Sequence, residues 1–442
     1  MTATASRPAA TRALKPRAKE ARLLMLAGLL TVAAYVLASL GRTASVPVDL
    51  APFLGFTLGT LAVAHVVTRR LAPRATPVLL PVAAALNGIG YVFIARLDAD
   101  RAAAQATWTA LGVAGFAATL FVVREARLLD RYRWTLALLG LGLLLLPLVP
   151  GIGYTVNGAR LWVGLGPLSF QPGELAKIAL AAFFASYLVE KRDLLARSTW
   201  RLGPISLPDP RSAAPILLAW GVSILVMTSQ KDLGSSLLFF ALFVVMLWIA
   251  TERAGWLALG AGLFSIGAFS AWSVFEHVQT RVRIWINPWP AAAGEGYQIV
   301  QSSYALGTGG LSGTGLSLGS PQQIPAAETD FIFSAIGEEL GLLGTTAILV
   351  AFLVMIGAGL GIARRAQHPL DKLLAAGLTT IVGVQTFIIL GGVTRLVPLT
   401  GITLPFVSYG GSSLVANYIL LALLIRISND NGRQAAALQE QL

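Results

Sequence analysis

The chain has 442 residues, of which 55% are hydrophobic and only 12% charged, and its mean hydropathy is +0.72. That balance excludes an ordinary water-soluble core and makes lipid the solvent for most of the chain. The net charge of +12 is split among short segments, which reads as membrane topology and not as a nucleic-acid surface. The absence of Cys removes disulfides and thiolate metal sites.

In chain order, residues 1–21 are polar, rich in Ala, Thr and Arg, and read as a disordered tail. This leader is long and the span after it has no small-residue cleavage pattern, so a signal peptide is not expected. Apolar stretches able to cross the hydrocarbon as helices lie near 22–41, 51–68, 76–95, 105–123, 134–150, 172–189, 213–229, 233–250, 255–274, 331–362, 373–394 and 405–427. They predict an all-α polytopic membrane protein of about twelve transmembrane helices over 22–427, with a short tail over 428–442. One connection, roughly 275–330, is far longer than a helix pair needs. It carries Trp285, Trp289, Tyr297 and Tyr304, which argues for an ordered segment at the membrane interface.

Placing the N-terminus in the cytoplasm puts 24 Lys and Arg residues inside and 8 outside, with Lys177 left within a span. The positive-inside rule then predicts that both termini are cytoplasmic and that the 275–330 segment is extracytoplasmic.

Several polar groups stand where hydrophobic pattern alone would not place them. Asp330 ends the long loop directly before an apolar helix, and a carboxylate at that boundary is costly without work or a partner. Glu174 and Lys177 are three apart at the start of a span. A helix cap with a salt bridge explains Glu174, while Lys177 lies a turn deeper, where cations are rarely idle. Asp232 follows Lys231 in a short outer turn, and a positioning role suits it as well as a chemical one. Arg281 and Arg283 precede Trp285; they either snorkel to headgroups or bind phosphate oxygens, and Arg160 and Arg395, alone in other outer loops, fit the same two readings. The Gly-rich stretch 307–315 lacks the Gly-Lys-Ser/Thr ending of a nucleotide loop, so close backbone packing or the approach of a ligand is the better account. Glu338 and Glu339 read as polar contacts inside the bundle. The three His residues are scattered, and no zinc cluster is visible.

These motifs, in this order, resemble the SEDS family (shape, elongation, division and sporulation), to which RodA and FtsW belong. The resemblance rests on Asn157-Gly158-Ala159-Arg160-Leu161-Trp162, Phe170-Gln171-Pro172-Gly173-Glu174-Leu175-Ala176-Lys177, Asp232-Leu233-Gly234, Asn287-Pro288-Trp289, Gly296-Tyr297-Gln298 and Gln301-Ser302. It continues through Thr329-Asp330-Phe331-Ile332-Phe333, Gly337-Glu338-Glu339-Leu340-Gly341 and Pro405-Phe406-Val407-Ser408-Tyr409-Gly410-Gly411-Ser412-Ser413. The resemblance implies a ten-helix core, so that 22–68 would be two added helices. It also implies a peptidoglycan glycosyltransferase in the bacterial cytoplasmic membrane that polymerises lipid II at the outer face, with undecaprenyl-pyrophosphate-linked glycan as the growing chain.

Asp330 matches the family's essential aspartate, and Lys177, Glu174, Arg160, Arg281, Arg283, Arg395, Asp232 and Gln301 become candidates for substrate binding. A class B penicillin-binding protein is the implied partner. Asp330, Glu328 and Asp232 could offer oxygen ligands to a divalent cation such as magnesium or manganese, but nothing in the sequence fixes their geometry. The chain departs from the family pattern at Glu328, where many relatives have His, at Lys231, commonly Pro, and at Gly173, commonly Ser. The short tail favours an elongation role over a division-specific one. A lipid II flippase and a non-enzymatic scaffold for cell-wall enzymes are the competing readings; a transporter, however, should place its site near the midplane.

Overall fold

The computed structural model describes residues 16–441 apart from 157–158, 166–167, 197, 203–204, 209–220, 223, 225–227 and 231. Most of the expected span 213–229, Lys231 and the Asn157-Gly158 pair lie outside the described residues. Among the described residues, nine helices are long and apolar enough to cross a membrane.

Helices α1 (Pro16–Thr43) and α2 (Leu50–Leu71) form a hairpin laid on α3 (Leu79–Leu97) and α4 (Ala99–Val122). Helix α1 begins within the tail expected to be disordered. Its start is tied down by Arg17, which pairs with Glu20 and donates to the Ala75 carbonyl. The most apolar window of α2 is only 11% buried, so its side chains are left for lipid.

After the single turn α5 (Leu128–Arg131), α6 (Arg133–Leu145) packs on α7 (Gly173–Ala196). Between them the chain folds as an antiparallel meander of β1 (Gly153–Val156), β2 (Ala159–Leu165) and β3 (Leu168–Phe170), in register Tyr154 to Trp162 and Gly164 to Ser169. A second hairpin, β4 (Ser198–Leu202) with β5 (Ile205–Pro208), lies in the loop after α7. Helical periodicity and hydropathy did not signal either sheet, because both lie in connections too short to show alternation.

Helix α8 (Leu233–Thr251) is capped by Asp232, whose side chain accepts from the Ser235 N–H at 3.0 Å. Helix α9 (Gly255–Val274) follows, only 6% buried in its apolar window. The long 275–330 segment is partly helical, with α10 (Glu276–Ile286) and α11 (Tyr297–Gly309). Helices α12 (Ile332–Arg365), α13 (Pro369–Val393) and α14 (Gly411–Glu440) complete the bundle. The last two form its core: their apolar windows are 72% and 89% buried, and α14 touches α3, α4, α7, α12 and α13.

Two apolar segments expected to be simple spans are interrupted. Helix α12 breaks at Gly341, whose φ of 63° and ψ of −161° are open to glycine alone. The Gly-rich 307–315 stretch fills the break. Leu342 and Leu343 N–H donate to the Gly310 and Leu311 carbonyls, while Thr314 and Gly315 N–H donate to those of Glu338 and Glu339. A methyl group at Gly313 would stand 2.2 Å from the Glu339 carbonyl oxygen, so the predicted close backbone packing is met. The segment read as 405–427 becomes helical only at Gly411; residues 400–410 form an irregular loop beside the start of α12.

Candidate active site

Asp330 sits at the mouth of the bundle between the 400–410 loop and α10. Its segment is held from one side by the 400–410 loop: the Ser408 hydroxyl donates to the Thr329 carbonyl at 2.6 Å, and the Tyr409 N–H donates to the Glu328 carbonyl at 2.8 Å. Ser408 also accepts from the Leu404 N–H at 2.9 Å. Buried Phe406 takes φ of 65° there and meets Tyr418 edge-on at 5.5 Å. Such a strained non-glycine residue persists only where its surroundings over-determine it.

Across from it, α10 supplies Arg281, whose guanidinium donates to the Leu399 carbonyl at 3.1 Å. Gly401, with φ of 76°, lies between the two charges. A methyl group added there would lie 3.6 Å from Oδ2 of Asp330 and 3.8 Å from Nη2 of Arg281, so the charges stand within about 7.4 Å. Burial pushes the Asp330 carboxyl up to about 6; Arg281 pulls it down and Glu328 adds a smaller push upward. Burial lowers the Arg281 guanidinium from its ordinary value, while Asp330 and then Asp232 hold it charged. Arg281 therefore feels both carboxylates.

Asp232 in turn has Glu174 and Lys177 as its electrostatic neighbours. The Lys177 ammonium is buried and donates to Glu174 at 2.8 Å and to Oε1 of Gln385 at 3.1 Å. The Gln385 amide passes the contact on to the Thr403 carbonyl at 2.8 Å, and the Thr403 hydroxyl donates to Ser413 at 2.9 Å. A buried ammonium needs such acceptors, and Lys177 has two of them. The Glu174–Lys177 pair thus braces α7 against α13 and the 400–410 loop, besides lying beside Asp232.

The structure brings together Asp330, Arg281, Asp232, Lys177 and Glu174 and leaves the other candidates apart. Arg395, at φ of 60°, turns its guanidinium to the carbonyls of Trp285 and Ile286 at 3.2 Å each, while its own carbonyl accepts from the Trp285 indole at 3.0 Å. It clamps the end of α10. Arg160 faces the carbonyls of Val149 and Gly153 at 3.3 Å each, although its backbone N–H reaches the Gln230 carbonyl just before Asp232. Arg283 is exposed and 3.8 Å from Glu295. Gln301 lies on α11, next to Ser302, whose hydroxyl meets Ser334 of α12 at 2.6 Å.

Glu328 is paired with Arg101 from the start of α4, and the same guanidinium lies 5.5 Å above the Tyr409 ring. This carboxylate is therefore held by Arg101, and among the described residues no three His, Asp or Glu side chains gather as a cation site. Glu338 and Glu339 serve the neighbouring loop: they accept from the Ser320 and Ser317 N–H at 2.7 and 2.8 Å, and Arg96 pairs with Glu339 at 2.7 Å.

Residue roles not anticipated are those of Gln385, Thr403 and Gly401 around the site and of Arg101 behind Glu328. Gln385 carried a signal, being a polar side chain within an apolar span; Gly401 and Arg101 carried none.

Residues 81–433 match the cell cycle protein family of FtsW, RodA and SpoVE. The chain is 45% identical to the peptidoglycan glycosyltransferase RodA of Mycobacterium tuberculosis, over 97% of its own length and 94% of that protein's. It is 37% identical to the stage V sporulation protein E of Bacillus subtilis over 65% and 76% of the two lengths. Among solved structures it resembles a chain from work on a peptidoglycan synthase complex that coordinates polymerization and crosslinking, with a TM-score of 0.66 and 28% identity over 80% of this chain and 97% of that one. It also resembles the Thermus thermophilus rod shape determining protein RodA, with a TM-score of 0.58 and 26% identity over 80% and 96%. The chain belongs to the cell cycle protein family of FtsW, RodA and SpoVE.

Proposed function

We propose that this protein is a RodA-like peptidoglycan glycosyltransferase that joins lipid II units at the outer face of the cytoplasmic membrane, with Asp330 as the general base. The observation that carries the reading is the carboxyl of Asp330, partly open at the bundle mouth, raised to about 6 and faced by Arg281. A base with that affinity is largely ionised at neutral pH yet still able to take a proton.

Asp330 removes the proton from the acceptor sugar hydroxyl. The oxygen then forms a bond to the donor's anomeric carbon as the bond from that carbon to the pyrophosphate oxygen breaks. Direct displacement inverts an α-linked donor and yields a β-1,4 link. Arg281 offsets negative charge on the departing pyrophosphate, and Lys177, held with Glu174 beside Asp232, sustains the positive potential beneath it. Asp232 fixes the start of α8 through its bond from the Ser235 N–H. Arg160, Arg395 and Gln301 stay outside the cluster as structural neighbours, and exposed Arg283 is the one open to a long headgroup.

The excess of Lys and Arg in the connections at the other end of the spans supports the outer placement and cytoplasmic termini. The near full-length identity to RodA, against a shorter match to the sporulation relative, supports the elongation role. Likeness to a chain of a synthase complex supports a class B penicillin-binding protein as the partner.

The experiment is direct: purified protein is given lipid II, and products are resolved by chain length on a gel. Glycan ladders are expected. Translocation of labelled lipid II in proteoliposomes without glycan would replace this reading with a transporter.

A further inference from the structure

The end of the bundle opposite Asp330 holds a cavity of about 700 Å³, which the reaction above does not use. Its walls are the α2–α3 turn over 74–78, the last turns of α12 over 357–367, and α14 over 428–438. These walls are pinned to one another. The Arg74 N–H donates to Asn429 at 3.0 Å, the Thr76 N–H to Ser428 at 2.9 Å, and the Asn431 amide to the Ile362 carbonyl at 3.0 Å. The cavity is therefore preformed and of a size that takes a small ligand.

Its floor and rim differ in character. Gly357 and Gly361, one turn apart on α12, have nothing within 4 Å of where a methyl group would stand. With Ala358 and Ile362 they leave a smooth apolar trough. The rim carries Arg74 and Arg365, both exposed, and among the described residues neither has a carboxylate within ion-pair distance. Among the described residues, no acidic one lines the cavity. Arg69, Arg70 and Arg364, in the last turns of α2 and α12, add charge of the same sign.

We propose that this cavity binds one anionic phospholipid of the adjoining leaflet, with its phosphate between Arg74 and Arg365 and an acyl chain along the Gly357–Gly361 face. An apolar trough with a basic rim at the membrane surface matches a phospholipid in both of its parts. The inference is independent of the proposed reaction; only naming the leaflet as the cytoplasmic one rests on the orientation above.

The test uses the full chain in detergent, offered equal phosphatidylglycerol and phosphatidylcholine of matched acyl chains, with retained lipid counted by intact-complex mass spectrometry. One phosphatidylglycerol is expected to be retained, with about thirtyfold preference, the order that two basic side chains give. The double variant Arg74→Gln/Arg365→Gln should fall to the phosphatidylcholine level. Gly361→Leu, which fills open space in the trough, should weaken retention with both arginines in place. Inorganic phosphate at millimolar concentration should not displace the lipid. Equal retention of the two lipids, unchanged retention by the double variant, or displacement by phosphate alone would overturn the proposal. Glycan synthesis in lipid-free detergent, unchanged in these variants, reports that they are folded.

Discussion

Replacing Arg281 by Gln removes the positive charge nearest to Asp330 and should move the acidic limb of the activity profile upward. Two unit charges about 7 Å apart interact by about 2 kcal/mol at an effective dielectric near 20. Because Asp330 is partly open to water, about half of that acts, which corresponds to a rise of roughly one pH unit. With its carboxyl at about 6, Asp330 is roughly half ionised at pH 6 and nine-tenths ionised at pH 7. The variant's limb is then centred near pH 7, so ionisation alone costs about fivefold at pH 6 and twofold at pH 7. Loss of the charge opposite pyrophosphate lowers the plateau as well, so the position of the limb is what tests the pairing. Initial rates of lipid II polymerisation between pH 5 and 9 measure it. Arg281→Lys keeps a cation and should keep the limb near pH 6. A limb that stays put in Arg281→Gln, or moves to lower pH, refutes the pairing of these two groups.

Other expectations follow from the same geometry. Asp330→Asn should stabilise the protein at pH 8, because a folded-state carboxyl raised from 3.8 to about 6 is penalised once ionised. The gain, on the order of 2 kcal/mol, should fade as pH drops through that window and vanish below about 4, as thermal unfolding at each pH would show. Lys177→Met strands the Glu174 carboxylate and should cost about 3–5 kcal/mol; the double variant with Glu174→Gln should recover part of it, and equal stability of single and double variants would contradict the buried pair. Gly313→Ala forces a methyl group onto the Glu339 carbonyl at positive φ and should cost about 2 kcal/mol or more along with activity, while Gly357→Ala, facing open space, should leave both within twofold. Glu328→Gln should shift the acidic limb less than Arg281→Gln does, and in the opposite direction, since Glu328 is already paired with Arg101.

Much of this was legible in the sequence. Hydropathy located most of the helices, because apolar runs of about 20 residues have few other uses. It missed the break at Gly341 and the irregular 400–410 loop, since an apolar segment buried among helices looks the same whether helical or not. The meander over 153–170 was hidden for a related reason: its strands are three to seven residues long. Charge placement and motif singled out Asp330, Arg281, Asp232, Glu174 and Lys177, which the fold brings near one another. Composition could not tell Arg281, which faces a carboxylate, from Arg395, which clamps backbone carbonyls, because that difference lies in the path of the loop. The raised affinity of Asp330 comes mainly from burial, which charge spacing along a sequence does not reveal.

The central claim is that Asp330 is the base of glycan polymerisation, and one comparison tests it most directly: turnover of lipid II by purified wild-type protein and by Asp330→Ala, each with retained lipid II measured in parallel. The account predicts a loss of at least about a hundredfold in glycan formation, the usual worth of a general base, with substrate retention little changed. An Asp330→Ala protein that makes glycan strands at the wild-type rate would contradict it.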